Sequence, residues 1–558
     1  MRKYSKFVSN PILEDYSLRY APTSFRKWSP WMVFLTGIGG NVAMASYALG
    51  GSLTVSFGVG NTLLATLCLA ILVFITGTPI ALEIAKNNID MDLLTRGSGF
   101  GYLGSTLTSL IYASFTFIYY ALEGAIMGQA LTDFFHFPLW VSYLISGLII
   151  IPLVMYGMTA LSQFQAWTQP IWLILLVVAV VGVLSQDKHA MQTWTSFTGA
   201  NHIASISPSY FAMATGVLLS LLAQIGEQAD FLRFMPERTE KNKKMWLFAV
   251  IAAGPGWVVI ALIQQLIGSF FSANVAKGYG LSQATVPASM FEFAFKSVFG
   301  NPYVSLTVAT LLVVLSQLKI NAVNAYSGSL SWSNFFSRIF HFHPGRDVWL
   351  ILQALIGTSL MLFGLINSLN TVLGFYSNVA VAWIGAVFAD LTINKKLLKI
   401  GPNYIEFKRA HLYNFNPVGF GSMIVASVLS IATYFGLFGS ALVPYSTFIS
   451  LLLAIVLSPT IALLTHGKYY LVRDSSSYFE EKFGNEKTIS DKYSDPLKTH
   501  KDTCHSCGHE YEVKDLVYCP FHNGPVCSLC CSLESECHEV CKTANAVTQV
   551  KISAGGSQ

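Results

Sequence analysis

The sequence predicts an all-α membrane protein of about twelve transmembrane helices, followed by a small Cys-rich domain. Of its 558 residues, 53% are hydrophobic and only 11% are charged, whereas soluble globular proteins carry about 25% charged residues. Apolar segments long enough to cross a hydrocarbon core of ~30 Å recur between residues 31 and 465. Eight of the nine cysteines fall between residues 504 and 541. A lipid-embedded body and a polar tail are therefore expected, and an ordinary soluble enzyme is excluded.

These observations divide the chain into five parts. We expect a cytoplasmic amino-terminal segment over 1–28, a transmembrane domain over 29–466, a cytoplasmic linker over 467–501, a Cys-rich module over 502–545 and a disordered tail over 546–558. The twelve apolar segments lie within 31–57, 60–85, 103–133, 138–158, 163–184, 210–232, 245–272, 300–328, 348–368, 372–391, 419–438 and 443–465.

The positions of Lys and Arg predict that both termini are cytoplasmic. Basic residues are retained on the cytoplasmic side of a membrane. If twelve helices alternate, the basic amino-terminal segment and the basic loops all lie on one side, which we assign to the cytoplasmic face of the inner membrane. The basic residues are Arg2, Lys3, Lys6, Arg19, Arg26, Lys27, Lys86, Arg96, Arg233, Arg238, Lys241, Lys243, Lys244, Arg338, Arg346, Lys395, Lys396, Lys399, Lys408 and Arg409. The net charge of +5 is too small to indicate a nucleic-acid partner.

Two of the segments are interrupted. The first contains Gly37, Gly39 and Gly40, and the sixth contains a polar stretch from Gln224 to Gln228. Irregular backbone survives in lipid only where it lines a cavity, and paired breaks in corresponding helices indicate a transporter's binding site near the midplane. The alternative is that glycine is simply common in membrane helices.

Polar side chains in the third segment suggest a ligand site. Tyr119 and Glu123 are one helical turn apart and project from the same face. An aromatic face stacks on a flat ring while a carboxylate accepts from its N–H edge, so the pair suits a heteroaromatic ligand. An interfacial tyrosine and a structural ion pair are the alternatives.

Lys319 lies in the middle of the eighth segment, where an unpaired charge costs roughly 2.5 to 3.5 kcal/mol. We expect it to be neutralised by loss of its proton or by a carboxylate such as Glu227 or Glu123. A purely structural buried pair is the alternative.

Three motifs follow one another along about 440 residues that begin near Glu14. They are Leu93-Leu-Thr-Arg96 with the following Gly-Ser-Gly-Phe-Gly, Ala229-Asp-Phe-Leu-Arg-Phe234, and Ala389-Asp-Leu391 before a Lys-rich loop. In order and spacing they resemble the nucleobase–cation symporter family, which includes purine-cytosine permeases and hydantoin transporters. The resemblance implies a leucine-transporter-like fold, with two inverted repeats of five helices plus two more, and with helices 1 and 6 unwound at the substrate site.

The resemblance also implies roles for particular residues. Tyr119 stands where relatives carry a ring-stacking Trp, and Leu221 stands where they carry another aromatic residue. The expected substrate site comprises Gly40, Asn41, Tyr119, Tyr120, Glu123, Ser220, Leu221 and Gln224.

Coupling to an ion is expected to depart from the sodium-using relatives, which have a Ser/Thr pair where this chain has Lys319 and Ile320. Hard cations need several oxygen ligands, and an ammonium group repels sodium. We therefore expect sodium-independent coupling that involves Lys319, Glu227 and Asn321, with protons as the coupling ion if the Lys319 proton exchanges.

The cysteines occur in pairs whose spacing is typical of zinc ligands. A cross-braced arrangement assigns Cys504, Cys507, Cys527 and Cys530 to one structural zinc, and Cys519, His522, Cys537 and Cys541 to a second. Sequential pairing and disulfides are alternatives, and the spare candidate ligands are Cys531, His505, His509 and His538. Closed sites of this kind stabilise a fold and do not catalyse.

Two functions remain open. One is secondary transport of a purine, cytosine, hydantoin or allantoin type of ring by alternating access. The other is a receptor that signals through the zinc module to a cytoplasmic protein, since permease-like bodies with a Cys-rich segment also resemble the input halves of bacterial membrane sensor kinases. We expect no kinase domain in the about seventeen residues after Cys541, and no enzymatic activity, because no nucleophile or phosphate-loop motif stands out.

Overall fold

The computed structural model describes residues 18–542 except residues 27, 156, 365–367 and 484–499, and it does not describe the side chains of 157–160. The expected tail over 546–558 and residues 1–17 of the expected amino-terminal segment lie outside this range. Within it, a helical body is followed by a small module of two β-hairpins and a short helix.

The helices of the body are α1 (Pro30–Gly40), α2 (Met44–Asn87), α3 (Met91–Thr95), α4 (Gly104–Phe135), α5 (Leu139–Leu148), α6 (Ile150–Met155), α7 (Gly157–Gln186), α8 (Ala190–Thr195), α9 (Pro208–Leu218), α10 (Ile225–Leu232), α11 (Lys243–Ala253), α12 (Trp257–Tyr279), α13 (Pro287–Phe299), α14 (Pro302–Phe340), α15 (Arg346–Leu362), α16 (Leu369–Ala389), α17 (Ser422–Tyr434) and α18 (Ser446–Leu464). Short 3-10 turns occupy Thr23–Phe25, Leu219–Gln224, Arg409–His411 and Ser440–Tyr445, and π-helical turns occupy Arg96–Phe100, Asp390–Leu397 and Pro417–Gly421.

Nine helices in the described part of the chain are long and apolar enough to cross a membrane. Three features account for the difference from the twelve predicted segments. Gly58, at φ +77°, divides α2 into two spans, because no helical residue adopts that backbone angle. The fourth segment is covered by the short helices over Leu139–Met155, and α15 has only 17 residues. The chain is thus a multi-pass membrane protein.

Close helix packing around the first interruption depends on glycine. Helix α2 runs along α12, and α4 runs along α14. A Cβ atom added at Gly50 would lie 2.0 Å from the Gln265 carbonyl oxygen, and one at Gly268 would lie 2.3 Å from that of Tyr47. Any larger residue would push α2 and α12 apart, so small residues set the distance between these helices, as is common in membranes.

The module begins after α18. It comprises α19 (Ser476–Phe483), β1 (Lys501–Thr503), β2 (Glu510–Glu512), β3 (Leu516–Cys519), β4 (Gly524–Cys527) and α20 (Ser528–Leu533), with 3-10 turns at Val513–Asp515 and Val540–Lys542. Strands β1 and β2 pair antiparallel, as do β3 and β4. Its apolar core is small and includes Leu516, Val526 and Leu529 beside buried cysteines. So small a core needs additional cross-links to fold.

Candidate functional site

The first helical interruption separates α1 from α2 at residues 41–43. Backbone groups released there are satisfied by side chains from other helices, as a low-dielectric environment requires. Gln264 Nε2 donates to the Asn41 carbonyl oxygen at 3.0 Å, and Ser316 Oγ donates to that of Val42. The backbone N–H of Ala45 donates to Glu123 Oε2 at 3.0 Å. Side chains from three other helices, α4, α12 and α14, therefore stabilise the interruption.

The second interruption is the 3-10 segment Leu219–Gln224 between α9 and α10. Gln224 Nε2 donates to Asn41 Oδ1 at 3.0 Å, so the two breaks meet. Ser220 is fully buried, and Leu221 is also buried in this segment. The structure thus brings together Gly40, Asn41, Ser220, Leu221 and Gln224 at the junction of the two broken helices.

Glu123 lies at the centre of this junction. Gln317 Nε2 donates to Glu123 Oε2 at 2.6 Å and to its carbonyl oxygen at 2.8 Å. Because Ala45 is in the first turn of α2, the carboxylate lies at a helix amino terminus, where negative charge is favoured. Among the described residues no group donates to Glu123 Oε1, Gln317 Oε1 or Glu227 Oε1, all of which are buried. These oxygens can accept hydrogen bonds from a ligand.

Tyr119 and Tyr120 face different neighbours. The Tyr119 hydroxyl is 3.1 Å from Ser220 Oγ, which itself donates to the Val217 carbonyl, so Tyr119 is the donor. Its ring lies 4.6 Å from that of Phe115. The Tyr120 hydroxyl instead donates to the Gly147 carbonyl of α5, away from the junction. The structure places Tyr119 at the site and places Tyr120 in a packing contact between helices.

Lys319 has no carboxylate partner in the described structure, so the ionic one of its two expected means of neutralisation, a pair with Glu227 or Glu123, is not formed. Its Nζ donates to Gln169 Oε1 at 2.6 Å and to the Gln165 carbonyl at 3.3 Å, both on α7. Gln165 also lies close to α1, since a Cβ atom added at Gly39 would be 3.3 Å from the Cβ atom of Gln165. The Lys319 amino group therefore lies among neutral oxygen acceptors where α7, α14 and α1 meet.

Asn321 and Glu227 are not joined to Lys319 by a hydrogen bond. Asn321 Nδ2 donates to the Tyr120 carbonyl at 3.2 Å, which places it against α4. Glu227 lies in the first turn of α10 and is 1% exposed. The three residues assigned to coupling thus occupy three separate positions around the junction.

A buried charge network lies between this junction and the module, and it was not predicted from the sequence. Asp92 accepts from Arg96 Nη2 and from Arg338 Nη2, each at 2.7 Å, and Arg233 lies 3.8 Å from Asp90. All three arginines are at most 1% exposed. The topology prediction treats all three as loop residues, and Asp90 and Asp92, two residues apart at the start of α3, are the sequence signal from which these partners could be predicted.

In the module, the sulfur atoms of Cys504, Cys507, Cys527 and Cys530 lie within 4.8 Å of one another. Tetrahedral zinc with Zn–S bonds of ~2.3 Å would place its sulfur ligands about 3.8 Å apart, so this group fits a metal ion. The structure therefore brings together the first four ligands of the cross-braced arrangement and not those of sequential pairing. Cys519, His522, Cys537 and Cys541 line a separate cavity, but their ligand atoms are not drawn equally close.

The module is docked on one end of the body, called here the module end. Lys514 Nζ donates to the carbonyl of Asn87, the last residue of α2, at 2.8 Å. His341, directly after α14, lies with Nδ1 3.2 Å from the Ser532 carbonyl. Asn414, between α16 and α17, donates to Glu539 at 2.9 Å. The module therefore connects the ends of helices that are distant in sequence.

The segment before α1 takes part in the same docking. Arg19 Nε donates to Asp515 Oδ2 at 3.0 Å, and the backbone N–H of Thr23 donates to Glu512 Oε1 at 2.7 Å. The Tyr20 hydroxyl also donates to Glu512. Burial raises the pKa of Asp515, and the Arg19 guanidinium partly opposes this rise. Residues 18–23 are thus held between the body and the module.

The same fold occurs in solved structures of membrane transporters. Mhp1, a nucleobase-cation-symport-1 family transporter in a closed conformation with bromovinylhydantoin bound, aligns with a TM-score of 0.58 at 17% identity, covering 82% of this chain and 99% of Mhp1. Mhp1 in its inward-facing conformation gives 0.58 at 16% identity, covering 84% and 96%. A substrate-bound, outward-open Na⁺-coupled sialic acid symporter gives 0.54 at 12% identity, covering 82% and 93%.

No family model and no curated protein matches the sequence. At these identities the structural similarity establishes the fold, which is leucine-transporter-like, as the sequence predicted. The similar structures are transporters and not enzymes.

Proposed function

We propose that this protein is a secondary transporter that carries a small neutral nitrogen heterocycle across the cytoplasmic membrane by alternating access. Nucleobases, hydantoins and allantoin are the candidate substrates. The observation that carries the proposal is the position of Glu123, which joins the broken α1–α2 segment to Gln317 beside Gln224 and Tyr119. The hydantoin bound to Mhp1 supports this substrate class. The basic loops support a cytoplasmic location for the module end and both termini.

The hydrogen-bonding groups at the junction determine which edge of the substrate ring can bind there. Glu123 Oε1 and Gln317 Oε1 are acceptors without protein donors among the described residues, so they suit ring N–H groups. The amino end of α2 already holds the Glu123 carboxylate. A substrate carboxylate there would meet a like charge in a low-dielectric site. Anionic heterocycles are therefore disfavoured.

The ring of the substrate is proposed to stack on Tyr119. Phe115 supports this ring at a centroid distance of 4.6 Å, and Ser220 fixes its hydroxyl. Leu221 supplies an apolar surface in place of a second aromatic ring. One stacking partner is thus proposed, with an aliphatic contact opposite.

We further propose that transport does not require sodium. The Lys319 amino group already occupies the space between the oxygen atoms of Gln165 and Gln169, and it carries a positive charge there whenever it is protonated. A second cation at this place would be repelled in the membrane interior. Exchange of the Lys319 proton would then couple transport to protons, with Glu227 and Asn321 near its path.

Zinc is the metal that we propose for Cys504, Cys507, Cys527 and Cys530. Four sulfur donors complete its tetrahedral coordination and leave no open position, so the ion stabilises the module and takes no part in transport.

A ligand screen tests the substrate class. Thermal-shift measurements on the purified protein with uracil, cytosine, hypoxanthine, allantoin and benzylhydantoin should identify at least one stabilising ring. Orotate is the matched control for uracil because it adds one carboxylate to the same ring. Stabilisation by orotate in preference to all neutral rings would contradict the proposal.

A receptor is the second candidate, and the docked module is the observation that favours it. Lys514 and Ser532 contact the ends of α2 and α14, so a ligand-induced separation of these helices would displace the module. A cytoplasmic signalling protein would then read the module's position. Exchange of labelled ligand across a membrane distinguishes the two candidates, since a receptor binds its ligand without exchanging it.

A further inference from the structure

A second group of cysteines lines a small cavity on the module, apart from the first cluster. Cys519, Cys531, Cys537 and Cys541 all face it, together with His522 and Glu534. All nine cysteines of the chain lie in its described part, and none forms a disulfide. Four free thiols thus share one enclosed space.

Geometry favours Cys531 over His522 as the fourth ligand. Cys530 and Cys531 are adjacent on α20, and consecutive helical residues project about 100° apart. Because Cys530 belongs to the first cluster, Cys531 is turned toward the second cavity. His522 Nε2 instead lies 3.3 Å from Glu534 Oε2.

We propose that Cys519, Cys531, Cys537 and Cys541 form a second metal site, a tetrathiolate for zinc or another thiophilic divalent cation. In this set Cys531 replaces the His522 predicted from sequence spacing, and His522 and Glu534 lie outside the coordination sphere. The inference goes beyond the proposed transport, since the site has no open position for a substrate.

The location of this site links it to docking. A divalent ion with four thiolates carries a net charge of −2, which a buried environment disfavours without nearby cations. Arg409 Nη1 donates to the Cys531 carbonyl at 3.0 Å, and Arg473 Nη1 donates to that of Cys541 at 3.2 Å. Arg409 belongs to the body, where it lies before α17, and Arg473 lies in the connection between α18 and α19. Metal affinity should therefore be higher in the docked module, and by linkage the metal should favour docking.

Metal content of the full-length protein in detergent tests the ligand set. Mass spectrometric analysis should find two zinc ions per chain in the parent, one in Cys531→Ser, and two in the matched variant His522→Ala. One zinc in the parent would overturn the proposal, as would loss of zinc in His522→Ala with retention in Cys531→Ser.

X-ray absorption at the zinc edge of the parent protein keeps the test independent of how the variants fold. An all-sulfur shell is expected for both ions. A contribution from an imidazole nitrogen would overturn the tetrathiolate.

Chelator competition tests the link to docking. In Arg473→Ala the second zinc should be released at a several-fold lower chelator concentration than in the parent. Lys482→Ala, which removes a surface pair with Asp502 inside the module, is the matched control and should behave like the parent. Unchanged release from Arg473→Ala would overturn the linkage. Each of these experiments measures metal binding, so its outcome does not depend on whether the protein transports a substrate.

Discussion

Substitution of Glu123 by Gln tests the proposed substrate contact with almost no change in shape. The carboxylate accepts hydrogen bonds from Ala45 N and Gln317 Nε2 and offers Oε1 to a ligand. A hydrogen bond to a charged group contributes about 1.5 to 3 kcal/mol, and a neutral one about 0.5 to 1.5 kcal/mol. Replacing the carboxylate by an amide should therefore weaken each of its three hydrogen bonds, those from Ala45, Gln317 and the ligand, by about 1 kcal/mol.

Two of these contacts belong to the protein, so the variant should lose about 2 kcal/mol of stability, and the third should weaken ligand binding about fivefold to tenfold. Saturation binding of the best radiolabelled ring from the screen measures the second effect. Glu292→Gln on α13, away from the junction, is the matched control and should bind like the parent. If Glu123→Gln is folded and binds every ring with the parent's affinity, the assignment of Glu123 to the substrate site is wrong.

Three further predictions address coupling, metal and pH. In the double variant Lys319→Ser with Ile320→Thr, sodium should stimulate ligand binding. If this variant folds and binds the ligand equally well with and without sodium, the role given to Lys319 is wrong. Cys504→Ser should lose the zinc of the first cluster and lower the melting temperature, whereas Cys68→Ser should change neither; full zinc content in Cys504→Ser would contradict that ligand set. Burial alone would raise the pKa of Glu406, but Lys408, His411 and hydrogen bonds lower it from 4.5 to about 2. The ionised Glu406 carboxylate contributes up to about 3 kcal/mol to the free energy of unfolding above pH 4.5, and this contribution is lost as the pH falls toward 2. The melting temperature of Glu406→Gln should therefore fall less steeply in acid than that of the parent protein. Equal slopes for the two proteins would refute this.

The fold was predictable because its main signals are local. Hydrophobic length identified most spans without knowledge of tertiary contacts. Gly39 and Gly40, with the polar stretch from Gln224, marked the two interruptions that the structure brings together. The number of continuous helices was less predictable. Helix α2 contains two spans that meet at the non-helical residue Gly58, and composition does not reveal that they follow one another without a loop.

Side-chain partners could not be predicted from the sequence to the same extent. Helical spacing put Tyr119 and Glu123 on one face but did not show that Tyr120 turns toward Gly147. The sequence predicts that Lys319 either loses its proton or pairs with a carboxylate, whereas the structure supplies amide and carbonyl oxygens from α7 as its partners. Such contacts depend on how distant helices pack, which periodicity does not encode.

The buried arginines show a related limit. The topology prediction places Arg96 and Arg338 in loops, whereas both contact Asp92 in the interior of the module end. A charge count predicts the side of the membrane on which a loop lies, but it does not distinguish a solvated cation from a paired one. Cys531 is a similar case, because spacing favoured His522 and only the short helix α20 turns Cys531 toward the second cavity.

Counterflow in proteoliposomes tests the proposed transport most directly. Vesicles that contain the protein and are preloaded with an unlabelled ring from the screen should transiently accumulate the labelled ring from outside, to the same extent in sodium chloride and in choline chloride. Binding of the ring without any exchange would contradict transport and favour the receptor, and exchange that occurs only in sodium would contradict the role assigned to Lys319.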